Sequence, residues 1–319
     1  MSSTRCKALL GWYGEYARDL PWRHTSDPYA IWISEIMLQQ TQVATVLPRY
    51  QAWLDMFPDI QSLATASLDD VLKAWEGLGY YRRARFIHAA VQLLMTQHSG
   101  EFPHDFEEIL KLPGIGRSTA GAIASFCFGH GRPVLDGNVK RVLKRWHGMP
   151  EPGDKALWQK AHEAIDASDK PADWNQAMME LGATICSTAK PDCRHCPVQK
   201  YCDSAFQINA VRKEASSNRV LDVHWQVNLY LDDEKGIWLT QRPDTGIWAG
   251  LWTPPITELE ATPDMVPCHI HQLTHRRLHL YVQPISELPV GKGKWVEDIS
   301  QLALPTGIHR LLHKHRIGA

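Results

Sequence analysis

The stretch LPGIGRSTAGAIASFCFGHGRPVLDGNVKRVLKR, Leu112 to Arg145, places two glycines around one isoleucine, then a run of small residues, then one acid ahead of a basic segment. Gly114 and Gly116 predict a tight turn between two helices, because glycine tolerates left-handed backbone and admits a close neighbour. STAGAIASFCF follows as a helix of small residues that can pack closely, and NVKRVLKRWHG reads as the next helix. The glycines alone fit an ordinary αα-hairpin with helix-terminal glycines. The charge pattern favours an anion instead: from Lys111 to Pro150 the bases are Lys111, Arg117, Arg132, Lys140, Arg141, Lys144 and Arg145, opposed only by Asp136. Backbone N–H groups at the start of the second helix could then approach a phosphate. Asp136 stands at the front of the basic helix, where an Asp most often serves as N-cap. Beside a polyanion, that acid needs a further reason.

Outward from this stretch, 319 residues suggest two domains, and a 44% hydrophobic fraction can fill two cores. The formal charge of −1 does not advertise a nucleic-acid binder, so the local basic face carries that reading. No stretch reaches the roughly 18 apolar residues of a membrane span, and the N-terminus has neither a signal peptide's apolar region nor a transit peptide's bias. A cytoplasmic protein without membrane contact is expected.

Residues 1–206 read as a succession of helices broken by Gly and Pro. DPYAIWISEIMLQQ starts with Asp27 as N-cap and Pro28 at the first helical position, and SLDDVLKAWEGL predicts a helix through Leu78. Residues 207–220 form a polar linker. Within 221–319, HWQVNLYL, GIWLTQR and RRLHLYVQPI predict strands and GIHRLLHKH a closing helix. The fold class is therefore multidomain: an all-helical domain followed by a small α+β domain.

Four of the seven cysteines crowd into CSTAKPDCRHCPVQKYC, as Cys186-x6-Cys193-x2-Cys196-x5-Cys202. Without an export signal this points to a metal centre, not to disulfides. Zinc accepts four thiolates, but its usual paired C-x2-C signature occurs here only once. The 6-2-5 spacing better fits a [4Fe–4S] cluster in the 186–202 loop, one Cys on each iron. Glu35 stands among Ile31, Trp32, Ile33, Ile36, Met37 and Leu38. There a carboxylate needs a buried partner, or stays protonated and serves as a general acid.

The order LPGIG, VLDGNVKR, C-x6-C-x2-C-x5-C resembles the helix-hairpin-helix base-excision DNA glycosylases that carry an iron–sulfur cluster. The endonuclease III-like branch has a nucleophilic Lys two residues after the second hairpin Gly, where this chain has Ser118. WISEIMLQQTQV instead resembles the adenine DNA glycosylases, which remove adenine mispaired with 8-oxoguanine, and WLTQRPDTGIWAGLW with LTHRRLHL is similar to their Nudix-like C-terminal domain. The resemblance implies a monofunctional glycosylase acting as a monomer on double-stranded DNA with A opposite 8-oxoguanine or G, in a bacterial cytoplasm near the nucleoid. Glu35 would protonate adenine and Asp136 would stabilise the cationic sugar, with Asn138 close to that sugar. The same resemblance assigns Arg23 to the vicinity of the active site. Gln40, Thr41, Leu78 and Tyr80 are assigned to the duplex and the lesion, Gly114, Gly116 and Ser118 to DNA contact, and Thr274 and His275 to 8-oxoguanine. Two departures stand out: Ser118 replaces a Tyr found in some members, and Leu273-Thr274-His275 replaces Phe-Ser-His. The acidic run of a Nudix hydrolase is absent, so the second domain is expected to recognise and not to hydrolyse. A bifunctional pyrimidine glycosylase and lyase, and a non-catalytic redox-sensing DNA-binding protein, are the competing readings.

Overall fold

The computed structural model describes residues 3–207, 220–260, 264–287 and 291–315. The expected linker, 207–220, lies outside the described residues except at its two ends. The chain divides into two compact units, one of residues 1–64 with 89–214 and the other of 65–88 with 215–319.

The helical part runs α1 (Ser3–Tyr16), α2 (Pro28–Met37), α3 (Val43–Met56), α4 (Ile60–Thr65), α5 (Leu68–Ala74) and α6 (Arg82–Gln97), the last shared by both units. It continues through α7 (Phe106–Lys111), α8 (Arg117–Phe128), α9 (Gly137–Trp146), α10 (Asp154–Ile165) and α11 (Pro171–Thr184). α2 starts as its sequence requires: the Asp27 carboxylate accepts the Tyr29 and Ala30 N–H groups at 3.1 and 3.3 Å, and Pro28 opens the helix. It stops at Met37, short of the predicted Gln40, because Gln40 turns to φ +56°. α5 likewise ends at Ala74 instead of Leu78, since Gly77, Gly79 and Tyr80 all take positive φ. The six residues of α4 are too few to show a helical period in the sequence.

The core beside the cysteine loop is built by α1, α9, α10 and α11 through Leu9, Val139, Leu143, Leu157, Met178 and Leu181, with Trp146 stacked on Trp174. Small residues bring α8 onto the segment leading into α9 and α11 onto the first turn of α9. A Cβ at Gly121 would lie 2.4 Å from the Pro133 carbonyl oxygen, and one at Gly182 would lie 2.6 Å from Asn138 Cβ. Any larger residue there would push the segment away.

The C-terminal part contains β1 (Leu221–Leu229), β2 (Leu231–Asp232), β3 (Gly236–Gln241), β4 (Trp252–Thr253), β5 (Ile256–Leu259), β6 (His269–Gln272), β7 (Arg276–Pro284), β8 (Lys294–Val296) and α12 (Thr306–Lys314). One sheet has the order β5-β1-β7-β6, with β1 and β7 parallel from Leu221 opposite Arg276 to Leu229 opposite Pro284. In the other, β3 pairs antiparallel with β2, β4 and β8. The predicted strands are β1, β3 and β7. The shorter edge strands carry too few alternating residues to register in sequence. Trp225, Val227 and Leu229 alternate inward and meet Leu278, Leu280 and the Ile308, Leu311 and Leu312 face of α12. No helix among the described residues is long and apolar enough to cross a membrane.

Candidate active site

The hairpin forms as the glycines predict. Between α7 and α8, Gly114 takes φ +77°, Ile115 is buried, and Gly116 caps α8 from an extended conformation with open space where a side chain would stand. The N–H groups at the start of α8 are thus reachable by an anion. Ser118, in the first turn of α8, is turned inward: its hydroxyl accepts the Leu135 N–H at 3.0 Å.

That bond is one of several that fix the irregular segment before α9. Asn175 of α11, itself buried, accepts the Val134 N–H at 3.0 Å, and donates to the Arg132 carbonyl at 2.8 Å and to Ser125 Oγ at 2.9 Å. Asp136 then caps α9, taking the Val139 N–H at 2.7 Å. The commonest use of an Asp at this position is therefore present. Its other oxygen accepts from Asn138 Nδ2 at 3.4 Å, and Asp136 lines a cavity of about 450 Å³.

Glu35, Arg23, Thr41, Asp136 and Asn138 all line that cavity. Burial pushes the Glu35 carboxyl up to about 8; the negative charge of Asp136 adds to this and Arg23 opposes it. Burial also raises Asp136, while the Val139 and Asn138 donors and the Arg141 charge hold it back. The two acids are thus set apart: one in an apolar environment keeps its proton near neutral pH, and the other has donors for its anion.

The same wall carries an acid that the sequence reading missed. Glu180, with no exposed side-chain surface, takes two 2.7 Å bonds from Arg18 and one of 2.8 Å from Arg23. Burial would raise its carboxyl, but the two guanidinium groups bring it below the ordinary value. The available signal was Glu180 amid Ala177, Met178, Met179 and Leu181, the same pattern that singled out Glu35.

The basic stripe needs correction. Arg141 and Arg145 do not face outward; they share one side of α9 and turn onto the cysteine loop. Arg141 donates to the carbonyls of Cys186 (2.8 Å) and Gly182 (2.6 Å) and to Asn138 Oδ1 (2.8 Å). Arg145 donates to the carbonyls of Ser187 (2.6 Å) and Thr188 (2.9 Å) and reaches Cys186 Sγ at 3.3 Å. Arg117 lies over the Trp158 ring and bonds His162. Cys186, Cys193, Cys196 and Cys202 are all partly exposed free thiols. Among the described residues no three His, Cys, Asp or Glu side chains group around a single metal-ion position.

In the first unit Gln40 is exposed next to the cavity-lining Thr41. In the second, Leu78 is buried. Tyr80 is half exposed, and its hydroxyl meets Thr274 Oγ1 at 2.8 Å. Thr274 and His275 form the exposed tip between β6 and β7, closed by the Leu273 N–H on the Arg276 carbonyl.

Residues 33–167 match the family model of the HhH-GPD superfamily base excision DNA repair proteins, and residues 226–314 match a NUDIX domain. The chain is 42% identical to the adenine DNA glycosylase of Buchnera aphidicola subsp. Baizongia pistaciae over 77% of this chain and 72% of that one. It is 35% identical to the adenine DNA glycosylase of Mus musculus, over 95% and 69% respectively. Among solved structures, a thermostable thymine-DNA glycosylase superposes with a TM-score of 0.60 at 28% identity, over 64% of this chain and 98% of that chain.

Proposed function

The chain belongs to the adenine DNA glycosylases of the HhH-GPD base excision repair superfamily, and on that footing we propose that it removes adenine mispaired with 8-oxoguanine, or with guanine, from double-stranded DNA. It is a DNA glycosylase, a hydrolase of N-glycosyl bonds. The observation that carries the mechanism is the pairing in one cavity of Glu35, pushed up to about 8, with Asp136, which has N–H donors for its anion. Adenine must first leave the base stack, since its glycosidic bond is unreachable inside the duplex. Protonated Glu35 then gives its proton to the departing base. Asp136 opposes the positive charge that develops at the sugar, by charge or by a transient bond, and water then adds its hydroxyl to C1′ while its other proton returns to the Glu35 carboxylate. Asn138 orients the second oxygen of Asp136. The Asp136 cap and the Asp136 catalyst use different oxygens, so the two roles coexist.

Cys186, Cys193, Cys196 and Cys202 would hold a [4Fe–4S] cluster, which when bound ties the loop 186–202 into a fixed shape. Their free thiols and the Arg145 donor at Cys186 support this reading. In the second unit Leu78, Tyr80, Thr274 and His275 would contact the lesion, and in the first Gln40 and Thr41 would contact the duplex. We read the enzyme as a monomer acting in the cytoplasm on nucleoid DNA.

The test is single-turnover excision on duplexes carrying A opposite 8-oxoguanine, A opposite G, and a damaged pyrimidine, each developed with and without alkali. Adenine release with a strand that breaks only in alkali is expected. Strand cleavage without alkali, or release of the pyrimidine alone, would restore the bifunctional alternative, and no release at all the non-catalytic one.

A further inference from the structure

Among the described residues, side chains of 65–88 meet the C-terminal part at Asp69, Arg85 and Tyr80. At the first, Asp69 Oδ2 accepts the Trp252 indole N–H at 3.1 Å and Oδ1 accepts from Gln241 Nε2 at 3.3 Å. At the second, Arg85 pairs with Asp244 and lies flat on Gly250, where a Cβ would stand 2.0 Å from Arg85 Nη1. At the third, the Tyr80 hydroxyl meets Thr274. The three differ in weight. Asp244 is 82% exposed, so its ion pair contributes little. Asp69 is half-buried and uses both oxygens. It is not needed to cap α5 either, because Ser67 and Asp70 form the reciprocal capping box there.

Tyr80 is anchored from its own side. Arg83 donates to the Leu78 and Gly79 carbonyls at 2.8 and 3.1 Å, and Trp75 donates to the Gly79 carbonyl at 3.0 Å, which holds Tyr80 at φ +48°. The Thr274 tip is anchored within its own sheet: Gln272 Nε2 donates to the Leu273 and Arg276 carbonyls at 2.7 and 3.4 Å and the His275 carbonyl accepts the Leu221 N–H at 3.1 Å, so its placement follows from where that sheet is held. Trp252 and Gln241 belong to β4 and β3 of the sheet that does not contain Thr274. A bond at Asp69 therefore fixes the sheet body, and the body sets Thr274 against Tyr80.

We propose that Asp69 is a positioning residue for lesion discrimination: it clamps β3 and β4 onto residues 65–88 so that Tyr80 and Thr274 act as one reader. This rests on the reading that Tyr80 and Thr274 recognise 8-oxoguanine. The role requires a carboxylate, since two N–H donors converge on it. Asparagine would offer one oxygen and confront the other donor with an NH2 group.

The experiment measures single-turnover excision of A opposite 8-oxoguanine and of A opposite G, at one salt concentration, for wild type, Asp69→Ala, Asp69→Asn, Thr274→Ala and the Asp69→Ala/Thr274→Ala double variant. Asp69→Ala should lower the ratio of the two rates about 10-fold with excision opposite G within about twofold of wild type, on the scale of two lost hydrogen bonds. Asp69→Asn should recover only part, and the double variant should be little worse than Thr274→Ala alone. A ratio that falls in Thr274→Ala but not in Asp69→Ala overturns the clamp and leaves the reader intact. Equal loss on both substrates in Asp69→Ala also overturns it, because the residue would then support the fold only. A ratio unmoved by Thr274→Ala overturns the reader itself.

Discussion

The Ser118 hydroxyl accepts the Leu135 backbone N–H at 3.0 Å, tying the first turn of the second hairpin helix to the residue before Asp136. The position that carries a nucleophilic amine in the lyase branch is here a structural acceptor. Wild type should therefore form no borohydride-trappable adduct with DNA, because a hydroxyl cannot make an imine with the opened sugar. Ser118→Lys should form one, at the cost of leaving the Leu135 N–H without its acceptor, a loss of about 1–3 kcal/mol if that group stays dry. Trapping by gel shift together with a denaturation midpoint checks both halves. A trapped adduct in wild type would contradict the assignment.

Glu35 has a pH signature. Its carboxyl, pushed up to about 8, must be protonated to act as an acid, so excision should fall as pH rises through about 8. Glu35→Gln should lose about 10²-fold or more in single-turnover rate and with it that alkaline limb. The same residue costs stability. The unfolded carboxyl ionises near its ordinary 4.5 while the folded one holds its proton to about 8, so stability declines with rising pH across that window. Glu35→Gln should accordingly melt higher than wild type at pH 7.5, with a smaller difference at pH 4. A variant with full activity, or one less stable at pH 7.5, would remove Glu35 from this role.

What sequence could reveal follows from range. Asp27 with Pro28, the Gly114 turn and the Asp136 cap are local geometry, and each stands where its neighbours in the chain require. Glu180 with Arg18 is a pair 162 residues apart, and nothing near either partner announces the other. Arg141 and Arg145 read as bases facing an anion because most of their acceptors are backbone carbonyls, which have no sequence signature. The burial of Leu78 depends on packing that its motif does not encode. The end of α2 has no glycine to mark it, because Gln40 takes positive φ without one, whereas the end of α5 is marked by Gly77 and Gly79 in EGLGYY.

Arg141 connects the cysteine loop to the cavity, holding the Cys186 and Gly182 carbonyls and the Asn138 side chain at once. Arg141→Lys keeps the charge but cannot span three acceptors in a fixed plane. It should lower excision by about 10-fold or more and hasten loss of iron on chelation, read by the decay of visible absorbance. Iron retention equal to wild type with excision impaired would mean that Arg141 serves Asn138 alone.

Asn175 holds the segment that delivers Asp136 through three hydrogen bonds. Asn175→Leu is close in volume but leaves the Val134 N–H and the Arg132 carbonyl unpaired in the interior. About 3 kcal/mol of stability should be lost, the scale of two buried groups without partners. Loss of stability alone would not distinguish support of Asp136 from support of the core. The distinguishing variant is Asn175→Asp, which can still accept from Val134 but has no N–H for Arg132 and Ser125. If Asn175 serves Asp136, Asn175→Asp should bind mispaired DNA with wild-type affinity yet excise at least about 10-fold more slowly, at a temperature where circular dichroism shows it folded. An unchanged rate in folded Asn175→Asp would mean that Ser118 and the Val139 cap suffice to hold Asp136, and that Asn175 acts on stability only.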